Sequence, residues 1–195
     1  LIMDPILLAI IAATVLFSYK GLNDLAFFFF YEFHIGSIRA GEQIRIISSG
    51  FLHADLGHLF FNMFTLFMFA PVVINHFGDF SFVLIYMISL IFGSLLTLIM
   101  HKNEYNYRAI GASGAVMGIL YSSILIDPNM NLYLFFIPIP IPAYVFGIGY
   151  LLYSIYGMKA KNDNIGHTAH FGGAIGGYLM FSFFIIFSNS LNDGT

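Results

Sequence analysis

Apolar residues run through this chain in long blocks rather than in the spaced pattern of a water-facing helix or strand. Stretches of at least fifteen residues without Asp, Glu, Lys, Arg or His occur at 5–19, 59–75, 80–100, 109–126, 128–158 and 171–192. An ionisable side chain at mid-bilayer costs about 2.5 to 3.5 kcal/mol even on the lenient insertion scale, and a crossing helix needs about 20 apolar residues. The pattern predicts an all-α, polytopic membrane protein with six spans, at about 5–19, 56–76, 80–100, 111–127, 141–157 and 168–188, in a single domain over 1–195. Span five starts late in its block because Pro138, Pro140 and Pro142 stand at alternate positions, an extended run that helices avoid. Residues 20–53 mix Phe27-Phe28-Phe29-Phe30-Tyr31 with Glu32, His34, Arg39, Glu42 and Arg45. That segment is too interrupted to cross and suits an element lying on or in one leaflet.

Composition narrows the chemistry. The 195 residues are 59% hydrophobic, with seven Lys or Arg and ten Asp or Glu, far below the roughly 25% charge of a soluble domain. The absence of cysteine removes disulfides, thiolate nucleophiles and Cys-based zinc sites together. Any nucleophile must be an oxygen or a nitrogen. A net charge of −3 without basic runs gives no footprint for nucleic acid. The start, Leu1-Ile2-Met3-Asp4-Pro5, has neither a leading Met nor a basic n-region and reads as a fragment or trimmed chain rather than a signal peptide. With no Trp, the interfacial belt relies on Tyr19, Tyr31, Tyr105, Tyr107 and Tyr156.

If six spans simply alternate, the N-terminal ends of spans two, four and six share one face of the membrane. Span two is headed by His58, with Asn62 one turn deeper on the same helical face. Span four is headed by Gly111-Ala112-Ser113-Gly114, and span six by His167 and His170 before Phe171-Gly172-Gly173. A serine between glycines in a membrane helix is usually a packing device. Here the glycines also allow a sharp turn into the helix, which exposes the hydroxyl and points the first free backbone N–H groups at developing negative charge. A nucleophile and part of an oxyanion site would then come from one turn of chain.

A serine hydroxyl needs a general base, and imidazole is the usual one near neutral pH. His170 is the better candidate of the span-six pair. Gly173 and Gly177 follow it at a spacing of four, and Gly114 and Gly118 repeat that spacing in span four, so the two helices can approach closely. Read blandly, these glycines only pack helices and His170 hydrogen-bonds a carbonyl. No carboxylate is placed to orient the histidine: Asp127 lies about 21 Å along the helix from Ser113, and Asp55, Glu104 and Asp163 sit in connections. The expectation is a Ser–His dyad rather than a triad. His58 and Asn62 can supply N–H donors to a tetrahedral oxyanion, although Asn62 could instead bridge helices.

These residues resemble the rhomboid family of intramembrane serine proteases. The resemblance rests on His58-x-x-x-Asn62, Gly111-x-Ser113-Gly114 and Ala169-His170-x-x-Gly173-x-x-x-Gly177, in that order on spans two, four and six. It implies a bacterial-type six-helix bundle in which Ser113 is the nucleophile, His170 the general base, and His58 and Asn62 stabilise the oxyanion. It further implies that Arg45 belongs to the first loop, that His53 helps the polar mouth retain water, and that span five with the loop around Lys159 to Gly166 gates substrate access. Transmembrane proteins reaching the site from lipid are the implied partners, with membrane lipids around them and no metal, organic cofactor or nucleic acid. The implied location is a bacterial cytoplasmic (inner) membrane. Two positions depart from the family pattern: Ile44 stands where Trp often precedes the loop arginine, and Met117 where an aromatic residue usually supports the histidine ring.

Three alternatives bear on the same residues. A rhomboid-like protein could bind transmembrane segments without cutting them. A small-solute or metal transporter could use His53, His58, His167 and His170 as a polar path, but these sit at one mouth and none lines the far half of the bilayer. Other membrane-protease chemistries lack their signatures, since there is no His-Glu-x-x-His and Gly78-Asp79 has no second intramembrane Asp. Orientation is in conflict. All seven basic residues fall on the Ser113 side, which the positive-inside rule assigns to the cytoplasm and the family resemblance assigns to the outside.

Overall fold

The structure, a computed structural model, describes residues 4–134, 137–160 and 165–192. Lys161 and Asp163, and with them the middle of the loop around Lys159 to Gly166, lie outside the described residues. Helix α1 spans Pro5–Asn23, beginning where Asp4 accepts hydrogen bonds from the Ile6 and Leu7 amides and where Pro5 needs no partner. The segment that was expected at the interface folds as α2 (Leu25–Tyr31), β1 (Phe33–His34), α3 (Ile35–Arg39), α4 (Arg45–Ser48) and a 3₁₀ turn at Ser49–Phe51. Two long helices follow, α5 (Leu56–Phe77) and α6 (Asp79–Met100), then β2 (Arg108–Ala109), α7 (Ser113–Ile126), the hairpin β3 (Asn131–Leu134) and β4 (Ile137–Pro142), α8 (Ala143–Ala160) and α9 (His167–Asn192).

Boundaries differ from expectation where backbone chemistry intervenes. Span five does not begin at 141. Ile141 and Pro142 pair with Leu132 and Asn131 in an antiparallel hairpin, and the helix starts at Ala143, because alternate prolines hold their neighbours extended. Span four begins at Ser113 rather than Gly111, since Gly111 has φ +117°, a conformation an L side chain rarely adopts. Helix α1 runs on past Tyr19 to Asn23, with the Asn23 side chain donating to the Tyr19 carbonyl at 2.7 Å.

Among the described residues four helices, α1, α5, α6 and α9, are long and apolar enough to cross a membrane. Helix α7 has 14 residues, about 21 Å of rise, and is shorter than the hydrocarbon core. It is tolerated because it is enclosed: every residue from Gly114 to Ile124 is buried, with α9, α6 and α5 packed around it. The core includes Leu66, Val73, Phe82, Ile85, Ile119 and Leu120, all 2% exposed or less. Elsewhere the long helices turn Leu, Ile and Phe outward, as at Leu16, Phe60, Ile99 and Ile186. In water such a surface would be a large apolar patch; in lipid it is the expected exterior.

Candidate active site

The start of α7 is held by two hydrogen bonds from the preceding segment. The Gly111 amide donates to the Ser49 carbonyl at 3.0 Å, and the Ala112 amide donates to Nε2 of His53 at 3.4 Å. His53 is fully buried. Its Nδ1 lies 2.8 Å from Ser18 Oγ, which also lies 2.7 Å from the Phe51 carbonyl. One protonation pattern satisfies the whole chain: Ala112 N–H to Nε2, Nδ1–H to Ser18 Oγ, and Ser18 O–H to the Phe51 carbonyl. It requires a neutral ring, and burial, reinforced by nearby His58 and opposed by Asp55, lowers the His53 pKa from 6.5 to about 3. The part implied for His53 was retaining water at the mouth, yet both ring nitrogens face protein groups, and they brace the turn before Ser113.

Ser113 opens α7, half-buried. The first hydrogen bond of the helix runs from the Val116 amide to the Ala112 carbonyl at 2.9 Å, so the N–H groups of Ser113, Gly114 and Ala115 precede any intrahelical partner. Beside the hydroxyl is a cavity of about 40 Å³ lined by Ser49, Ser94, Thr97, Tyr107 and Gly166 among others, room for about one water. Burial and the neighbouring Glu104 push the Tyr107 hydroxyl pKa up.

His58 meets this turn at Gly111. A Cβ at Gly111 would lie 2.8 Å from His58 Nε2 and 3.8 Å from Ser113 Oγ, so the bare glycine lets the imidazole stand beside the serine. Asp55 caps α5 through the His58 amide at 2.8 Å, so that carboxylate serves the helix end. Asn62 is buried, and its Nδ2 donates to the His58 carbonyl at 3.0 Å. One of its N–H groups is thus turned along its own helix.

His170 lies on α9, 8% exposed. The α7 and α9 backbones touch at glycines: a Cβ on Gly173 would collide with the Gly114 carbonyl, and one on Gly177 with the Gly118 carbonyl. The Ala169 carbonyl lies 3.3 Å from where a Gly114 Cβ would be. The residues next to Ser113 and next to His170 therefore face each other across a close helix contact. On its other side, His170 Nδ1 is 2.9 Å from the Tyr150 hydroxyl of α8, and the rings are 5.9 Å apart. Met117 is buried in the core, so the aromatic neighbour of the histidine comes from α8 instead of α7. Tyr150 was missed in the sequence; its signal is a phenol within an apolar span, where the O–H needs a partner.

A second group was also missed. Arg108, in β2, pairs with Glu32, a carboxylate 3% exposed. Arg45 donates to the Phe29 and Glu32 carbonyls at 2.7 and 3.0 Å and to Glu42 at 2.6 Å. With β1 paired to β2, these bonds fasten the first loop to the strand leading into Gly111. A lone Glu within an aromatic run is the readable signal, because a buried carboxylate demands a cation.

The Rhomboid domain family matches residues 40–187 of the chain. RHOMBOID-like protein 12, mitochondrial, of Arabidopsis thaliana is 31% identical over 155 residues, covering 72% of this chain and 46% of that protein. YdcA of Bacillus subtilis (strain 168), whose name carries the words rhomboid protease, is 32% identical over 148 residues, 72% of this chain and 66% of its own. Presenilin-associated rhomboid-like protein, mitochondrial, of Rattus norvegicus is 28% identical over 152 residues, 74% of this chain and 39% of that protein. The chain thus spans less than two thirds of the length of each of these relatives. With the family's domain over most of its length and apolar helices that suit a bilayer, this multi-pass integral membrane protein belongs to the rhomboid family.

Proposed function

We propose that the protein is an intramembrane serine endopeptidase that hydrolyses peptide bonds in or near transmembrane segments of other membrane proteins. Residues 1–195 form one membrane domain, in which α7 and α8 join the four long helices as the fourth and fifth spans. The observation carrying the reading is the glycine contact that sets Gly114 against Ala169 and Gly173, with His170 Nδ1 at the Tyr150 hydroxyl. An Nδ1–H donated to Tyr150 leaves Nε2 as the basic nitrogen, the one a serine base requires.

In this mechanism Ser113 Oγ attacks the carbonyl carbon of the scissile bond as its proton passes to His170 Nε2. Charge on the former carbonyl oxygen is met by the free N–H groups at the start of α7 and by His58 and Asn62, the carboxamide turning one N–H from the His58 carbonyl toward the site. The imidazolium then protonates the departing amine, the C–N bond breaks, and an acyl-serine remains. Water, deprotonated by His170, cleaves that ester and restores the hydroxyl. A hydrogen-bonded helix hides its carbonyls, so helix-breaking or small residues near the cut are expected in substrates. Substrate reaches the site laterally from lipid, with α8 and the loop after it as the gate.

A bacterial cytoplasmic membrane is the proposed location, supported by the Bacillus subtilis relative, although other relatives carry mitochondrial names. A reporter fused to the C-terminus tests orientation, with cytoplasmic signal expected.

The catalytic test is fluorophosphonate labelling of detergent-solubilised protein, with cleavage of a single-span reporter in proteoliposomes. Wild type should label and cleave, while Ser113→Ala and His170→Ala lose both by at least about 10³-fold. Cleavage surviving in Ser113→Ala would remove the nucleophile assignment, and a folded wild type that neither labels nor cleaves would leave a protein that binds transmembrane segments.

A further inference from the structure

Three described cations are engaged by their own chain. Lys20 lies over the Phe27 ring, Arg45 is paired with Glu42 and Arg108 with Glu32. Arg39 and Lys102 differ. Both are exposed, and neither has a carboxylate partner among the described residues. Arg39 Nη1 donates to the backbone carbonyl of Lys102 at 3.0 Å, which brings the end of α3 to the residues just beyond α6. Ile38 and Leu98 pack in one small cluster below that bond, so the juxtaposition is built rather than incidental. Arg39, Lys102, Leu98, Ile99 and Asn103 line an open groove of about 600 Å³.

Two cations lining one groove with no counter-charge among the described residues repel each other, and an anion relieves that cost. The wall beneath them says which anion. Leu98 and Ile99 belong to the last turn of α6, a helix suited to crossing the bilayer, and Ile99 and Met100 are 62% and 57% exposed. An apolar wall running down from a cationic rim matches an amphiphile, with its phosphate at the rim and its acyl chain on the wall. A free phosphate or a soluble acidic peptide has no use for the wall. Basic pockets beside membrane helices bind anionic headgroups on this principle.

We propose that the groove between α3 and the end of α6 is a binding site for one anionic phospholipid of the leaflet on the Ser113 side, held by Arg39, Lys102 and Asn103. This assignment goes beyond proteolysis and does not depend on it.

The test is native mass spectrometry of the full chain in detergent micelles doped with phosphatidylglycerol or phosphatidylcholine. Wild type should retain one phosphatidylglycerol in preference to phosphatidylcholine. Arg39→Gln and Lys102→Gln should each lower retention about fivefold, since a basic residue near the surface contributes about that factor, while Lys159→Gln, a cation outside the groove, leaves it unchanged. Because Arg39→Gln also removes a backbone contact, Lys102→Glu keeps the test independent of folding; its side chain is exposed, so the variant should fold and lose the preference. Equal retention of the two lipids, or an undiminished preference in Lys102→Glu, overturns the site. Displacement of phosphatidylglycerol by millimolar inorganic phosphate also overturns it and assigns the groove to a free anion.

Discussion

Helices α7 and α8 both pack on α9, but by opposite means. Helix α7 is buried from Gly114 to Ile124, and its glycines lie against those of α9 so closely that no side chain fits between. Helix α8 buries only Ala143, Gly147, Ser154 and Gly157 and leaves Tyr144, Ile148, Leu152 and Tyr156 exposed. The candidate nucleophile thus stands on an element whose position is fixed by backbone against backbone, where dispersion contacts are dense. The hydroxyl that meets the candidate base comes from an element held by a narrow strip of small residues. A site divided in this way keeps its reacting groups in register while one wall remains the easier to displace.

The sharpest way to break the contrast is on the α7 side. Gly173→Val drives a branched side chain into the Gly114 carbonyl, which cannot rotate away, and should cost about 3 kcal/mol or more, the upper end for overpacking. The expected outcome is loss of the folded state in a detergent thermal melt; a stable variant would mean that the two backbones can separate. Next is acid. Unfolded His53 takes up a proton near pH 6.5, whereas the folded ring resists until about 3. The unfolded state therefore binds more protons throughout that window. Stability should fall as pH drops from about 6.5 toward 3, by up to about 1.4 kcal/mol per pH unit, and His53→Gln should flatten the slope of the unfolding midpoint against pH. A slope unchanged in His53→Gln would assign the acid sensitivity to other groups.

On the α8 side the effects should be smaller. Tyr150→Phe keeps the ring and deletes the hydroxyl 2.9 Å from His170 Nδ1, removing one hydrogen bond of about 0.5 to 1.5 kcal/mol. The expected result is a fall in kcat of about 2- to 10-fold with KM and melting temperature unchanged. A change confined to KM would show that the hydroxyl touches substrate instead. Leu152→Ala, at a position 62% exposed, should move stability by less than about 0.5 kcal/mol when compared by thermal melting in the same detergent. A cost of core size would show that α8 is covered on that face.

Much of the architecture was readable because lipid imposes a crude rule: a charge-free block long enough to cross must be helical. That rule located a helix in each of the six blocks, Leu56–Phe77 and Asp79–Met100 among them, although the fifth block opens with the β3–β4 hairpin and turns helical only at Ala143. The repeated four-residue glycine spacing, read with the serine and histidine beside it, also pointed to the α7–α9 contact. Less legible were the groups that meet only through folding. Ser18 and His53 are 35 residues apart, and Glu32 and Arg108 are 76 apart; neither pairing has a local pattern. Nor does spacing reveal that the Asn62 carboxamide turns to its own helix, or that the aromatic ring beside His170 is Tyr150 of α8.

By itself, then, the sequence determined the solvent, the helical class, the order of the apolar helices and the residue types available for chemistry, because hydropathy and glycine spacing act over one or two helical turns. Only the tertiary structure decided which side of each helix is enclosed, how the turn before Ser113 is braced by the neutral His53, and which cations are paired while Arg39 and Lys102 line an open groove. Those outcomes depend on distances between elements far apart in the chain, and close packing fixes them to within a fraction of an ångström.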